Sequence, residues 1–245
     1  MDVVGLRRSL ALYQLAMEPL GIYVLIYLVA KFMELQRSGV SMIETAEAVP
    51  MLGMVLPPVM IVTLLACHSL EVAFLLYNAR GGLVGAEWLD HTQVWLTFLA
   101  LGMALVENMF RGQNPIVFCI CLFSASAGFA FYGLKRFLPV RLRADGKAAG
   151  VALVPAVLWL LFTIQMLSSW PLLDCLPTLI FFLVNVALAW KLVDTGDEAY
   201  AGALLMARVA DAGILALLCV LTGQAVPFLP FFVLNLVACG VLLAA

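Results

Sequence analysis

Polar and ionisable side chains set inside apolar stretches are where chemistry could reside in this sequence. His68 and Glu71 stand three residues apart, which puts them on one face of a helix, and Asp90 and His91 open the next apolar run. If those two segments form a hairpin, two histidines and two carboxylates converge, a ligand set suited to a divalent metal or a proton relay. His68 and His91 are also the two histidines of the chain, the pair that a bis-histidine haem would need. A plainer reading weighs more: Asp90 and His91 form an interfacial polar cap, and Glu71 pairs with Arg80 or reaches the lipid headgroups. On that reading no cofactor is expected; haem or a divalent metal belongs to the first.

Glu18 lies in the middle of an apolar stretch beside Pro19. A lone carboxylate there is costly unless it is protonated, paired or facing water, and Pro19 frees a backbone carbonyl that could join a polar pocket. Glu107 and Arg111 are four residues apart and read as a helix-end ion pair. Asn185 and Asn235 belong to an internal echo: Pro177, Leu179, Phe181, Phe182 and Asn185 recur fifty residues later as Pro227, Leu229, Phe231, Phe232 and Asn235. A weaker extension matches Arg111-Gly112-Gln113 before Pro115 with Thr222-Gly223-Gln224 before Pro227. The two asparagines either line a polar path or hydrogen-bond across helices at roughly 0.6 to 2 kcal/mol each; the second role is the stronger expectation, and Gln165 and Asp174 read the same way. Ser124 and Gly128 stand at the small-xxx-small spacing that lets two helices approach closely, with a partner in this chain or in another subunit.

These residues must be positioned by helices in lipid. The chain has 245 residues, 65% hydrophobic and 11% charged, with a mean hydropathy of +1.10, whereas a soluble domain is about 45 to 50% apolar and 25% charged. Apolar windows of the length a bilayer demands fall at 11–31, 50–77, 92–110, 115–134, 150–169, 174–193, 203–222 and 226–244. The expected fold is therefore all-α: a single transmembrane domain, 1–245, forming a polytopic bundle of about eight spans. Short connections with turn residues imply antiparallel neighbours. The echo suggests that spans five and six and spans seven and eight are repeated helical hairpins, a device common in transporters. Span two is long and interrupted by Pro57-Pro58, which predicts a kink or break. Arg7 and Arg8 before an apolar run, with Ala46-Glu47-Ala48 further on, have some features of a signal peptide, but the length of the run and Glu18 within it favour a retained first span.

Counting Lys and Arg in alternating loops gives ten on one side (Arg7, Arg8, Arg80, Lys135, Arg136, Arg141, Arg143, Lys147, Lys191, Arg208) against Lys31, Arg37 and Arg111 on the other. That bias places both termini in the cytoplasm, and the expected location is the cell inner membrane. The net charge of -2 and thinly spread basic residues exclude a nucleic-acid partner. Cys67, Cys119, Cys121, Cys175, Cys219 and Cys239 sit in apolar runs without a CxxC pair and read as small packing residues. No GxSxG, HExxH or Walker pattern occurs, which speaks against an enzyme. Two functions lead. One is a small permease for an unidentified solute or ion, with Glu18, His68, Glu71, Asn185 and Asn235 lining its path. The other is a non-catalytic structural or assembly subunit, packed in the bilayer against other membrane subunits or a second copy, expected to lack an internal cavity and to carry polar and small residues on an outward face; the absence of a charged pair deep in the membrane favours it. A haem- or metal-bearing membrane anchor, resting on His68 and His91, is a less favoured third.

Overall fold

The computed structural model describes residues 1–37, 73, 75–77, 79–80, 130–169, 172–223, 226 and 228–244. Among these residues there are helices and turns and no strand. Five helices are complete enough to number: α1 (Val3–Arg37), α2 (Gly146–Met166), α3 (Leu172–Thr195), α4 (Glu198–Thr222) and α5 (Leu229–Leu243). Residues 130–135 are also helical and lead into the loop before α2. Spans 92–110, most of 50–77 and most of 115–134 lie outside the described residues, as do Pro57-Pro58, His68, Glu71, Asp90, His91, Glu107, Ser124 and Gly128.

Helix ends fall where local chemistry puts them. Asp145 caps α2 by accepting the backbone N–H of Ala148 at 2.8 Å, and Arg143 donates to its other oxygen at 2.6 Å. Those contacts, the Ala148 amide first, hold the Asp145 carboxyl below its ordinary range. Asp197 caps α4 through Ala199 N–H at 2.9 Å, and Glu198 in the first turn suits the positive end of the helix dipole. Gly196 closes α3 and Gly223 closes α4, both at positive φ, a conformation open to glycine without the Cβ clash that other residues suffer. Observed boundaries agree with the apolar windows to a few residues except in α1, which begins at Val3 rather than 11. Its apolar signal starts late because Arg7, Arg8 and Ser9 occupy the first turns, yet those turns are helical and packed.

One end of the bundle collects the chain terminus and the charged loops. The Met1 ammonium donates to the Val140 carbonyl at 2.6 Å and pairs with Glu198 at 2.9 Å. Arg8 donates to the Ala79 carbonyl at 2.8 Å and pairs with Asp197 at 2.7 Å. The Arg143 amide donates to the Leu242 carbonyl at 2.9 Å, which brings the end of α5 to the same face. Thus α1, α2 and α4 leave this face and α3 and α5 return to it, the alternation that antiparallel hairpins require. The loops with the Lys/Arg excess and both described chain ends meet here.

The core is built around α4, which packs against α1, α3 and α5 and more lightly against α2. Residues 201–208 of α4 are buried without exception, and the small ones among them let neighbours come close. At Gly202 an added Cβ would stand 2.2 Å from Ser9 Oγ and 2.7 Å from Ser9 Cβ on α1; the hydroxyl could rotate away, but the Cβ could not without moving α1. The outer faces are apolar instead: Val154, Leu161 and Ile164 on α2, Leu183 on α3, and Leu236 and Val237 on α5 are exposed.

Two substitutions test this packing. Gly202→Ala is expected to destabilise the chain by about 1 to 3 kcal/mol, because overpacking forces α1 away from α4; thermal unfolding in detergent that matches the parent would remove the close approach as a constraint. Asp197→Ala loses a helix cap and a half-buried ion pair together, at about 1 to 2 kcal/mol, whereas Asp197→Asn keeps a capping acceptor and should lose less than half of that.

Candidate functional site

α4 places Arg208 and Asp211 three residues apart, one turn of one face, and both are fully buried. Counting from Glu198, they stand about 15 and 20 Å along a helix of 1.5 Å rise per residue, near its middle. Their closest charged atoms, Arg208 Nη1 and Asp211 Oδ2, are 3.5 Å apart.

Three other helices supply partners. From α3, Asn185 Oδ1 accepts from Arg208 Nη2; from α5, Asn235 Oδ1 accepts from Nη1 at 3.3 Å. Each asparagine is aimed by the same device, its Nδ2 donating back to the carbonyl four residues earlier: Asn185 to Phe181 at 2.7 Å, Asn235 to Phe231 at 3.0 Å. The Phe181 ring lies under the guanidinium at 5.6 Å, within cation-π range. From α2, the Trp159 indole donates to Asp211 Oδ1 at 2.8 Å, and its ring packs on Phe231. Below it, the Thr163 hydroxyl meets the Thr178 hydroxyl at 2.6 Å across the α2–α3 seam. Buried Tyr13 on α1 and partly buried Cys239 on α5 are near enough to interact electrostatically with both charges.

The echo in sequence is therefore an echo in space. Phe181 with Asn185 and Phe231 with Asn235 perform matching tasks from two hairpins, α2–α3 and α4–α5, and converge on one guanidinium. Two positions stay open: Arg208 Nε and Asp211 Oδ2 are buried without a hydrogen-bond partner among the described residues.

Of the residues singled out from sequence, Asn185 and Asn235 are brought together at this site. Glu18 is half-buried on α1, about 7.5 Å of helix rise beyond Tyr13. Gln165 is exposed at the far end of α2. His68, Glu71, Asp90 and His91 fall outside the described residues, and among the described residues no three His, Cys, Asp or Glu side chains gather as a metal would require.

Two expectations need correction. Arg208 is not a loop residue: it is buried in mid-helix, so the basic-residue bias is nine against three. A deep charged pair is present, and sequence reasoning missed it along with Trp159 and Tyr13. Opposite charges at i and i+3 within the window 203–222 were a visible signal for Arg208 and Asp211; nothing local marks Trp159 or Tyr13.

Breaking a buried ion pair by removing one partner costs about 3 to 5 kcal/mol. Asp211→Leu strands Arg208 and the Trp159 N–H and should destabilise by that amount, whereas Arg208→Met with Asp211→Leu should recover much of the loss. Unfolding of the two single variants and the double variant measures it: additive losses would mean that the charges do not compensate one another. Compared with protein-family models, curated proteins and solved structures, the chain finds no match, and the functional reading rests on the site itself.

Proposed function

We propose that this chain is a multi-pass membrane protein of about eight spans, with both termini cytoplasmic, and that it acts as a small permease whose path runs past the Arg208–Asp211 pair. Two helices, Gly146–Met166 and Cys175–Thr195, are long and apolar enough to cross a membrane. Only 28% and 33% of their apolar windows are buried, whereas the core helix of a soluble protein hides most of its apolar surface. Charges inside and apolar side chains outside are the arrangement that lipid selects. Tyr77 and Trp190 are exposed close to the polar end of the bundle, the level at which amphipathic aromatics sit at a membrane interface. The nine-to-three excess of basic residues on that end supports its placement in the cytoplasm of a bacterial inner membrane.

The observation that supports transport over mere packing is the pair of open positions on buried charges. An unsatisfied buried polar atom costs about 1 to 3 kcal/mol, and a cross-helix staple would do better with Arg208 Nε and Asp211 Oδ2 filled. Such groups are retained where water, an ion or a solute meets them during function. Asn185 and Asn235 belong to this path, with Glu18 a further candidate on α1; His68 and Glu71 stay candidates from sequence.

Accessibility tests the reading. In a background with all six cysteines replaced, Asn185→Cys and Asn235→Cys in open native membranes are exposed to a charged, membrane-impermeant methanethiosulfonate. At least one should be modified, more slowly than a control cysteine at exposed Ser169. Two inert sites beside a fully labelled control would sink the permease and leave the structural-subunit alternative, which stable partners in a gentle extraction would then support.

A further inference from the structure

The support given to the two buried charges is unequal. Arg208 is held without Asp211: two amide oxygens from α3 and α5 accept its Nη groups, and the Phe181 ring faces its charge. Those oxygens are aimed by bonds to the Phe181 and Phe231 carbonyls, backbone anchors that stay in place whatever the state of the carboxylate. Asp211 is anchored by the Trp159 indole on Oδ1, with the Asn235 side chain as a further polar neighbour. Its Oδ2 lies 3.5 Å from Arg208 Nη1 and accepts no hydrogen bond from any described residue.

We propose that Asp211 is a proton-binding site, taking up and returning one proton at Oδ2 while Asn185 and Asn235 keep Arg208 in place. Uptake converts the carboxylate and a proton into a neutral carboxyl, with no other bond made or broken; the pair passes from neutral to net positive, and release restores it. Arginine stays protonated throughout. Among the described residues, the other ionisable groups facing the pair are Tyr13 from α1 and Cys239 from α5; phenols and thiols ordinarily ionise above neutral pH, so neither replaces the carboxylate as the exchanging base. From α2 and α3 the facing groups are Trp159, Asn185 and Phe181, none of which titrates. A change of one unit in the charge of the pair is a means by which proton binding and solute binding can influence each other. As a coupling device this rests on the permease reading; as a proton site it does not.

The test is pH-difference infrared spectroscopy of the purified full chain in lipid nanodiscs, with the proton itself as the probe. The other carboxyls of the chain also protonate on acidification, so the signal is a distinct component of the protonated-carboxyl C=O band at the high frequency of a carboxyl shielded from water. It should shift in heavy water, be absent in Asp211→Asn, persist in Glu18→Gln and return displaced in Asp211→Glu. A parent spectrum without such a component, or a component unaltered in a folded Asp211→Asn protein, would overturn the proposal. Because this readout involves no transport, its failure leaves the permease reading to the cysteine-labelling experiment, and inert cysteines there would leave the proton site standing.

Discussion

A guanidinium cannot stay in the middle of an apolar bundle without being solvated by the protein, and the arrangement of α2 to α5 follows from that constraint. α4 supplies both the charge and its counter-charge on one turn. α3 and α5 supply amide oxygens from opposite sides, α2 supplies the indole that fixes the carboxylate, and α1 closes the site with Tyr13. For four helices to reach one turn of a fifth, that fifth helix must be slender. The Ala and Gly residues of α4 around Arg208 provide this, with Gly202 touching Ser9 where no side chain would fit. Small residues and buried charge are thus parts of one solution.

Polarity is distributed in two places. Within the bundle, among the described residues, it is concentrated in the Arg208 cluster and the Thr163–Thr178 contact, with buried Ser9 and half-buried Glu18 on α1 besides. At the end of the bundle it lies in ion pairs among Met1, Arg8, Asp197 and Glu198, which tie α1 to the α3–α4 turn. The outward faces between carry aliphatic side chains. The charged end is thus set apart from apolar sides, and the buried pair stands about 15 to 20 Å from that end by helix rise.

The paired hairpins give the site its internal symmetry. Asn185 and Asn235 use the same back-bond to a phenylalanine carbonyl and the same outward oxygen, yet the adjoining rings diverge: Phe181 faces the cation, and Phe231 supports Trp159. Two asparagines held in matching ways are fitted around a single arginine. That asymmetry leaves the cation of the pair surrounded by acceptors and the carboxylate with an open oxygen.

The sequence by itself determined the helical class, the lengths of α2 to α5, their hairpin turns and the equivalence of the two asparagines, because each depends on local quantities: apolar run length, cap residues, glycine at helix ends and a repeat spacing. It also contained the Arg208–Asp211 spacing, which a count by loops concealed by assigning the arginine to water. Tertiary structure alone decided that Asn185, Asn235 and Trp159 meet those charges. These partners lie 23, 27 and 52 residues away along the chain, and contact over such separations is set by which helix faces pack together, a property of the whole bundle that no local window contains.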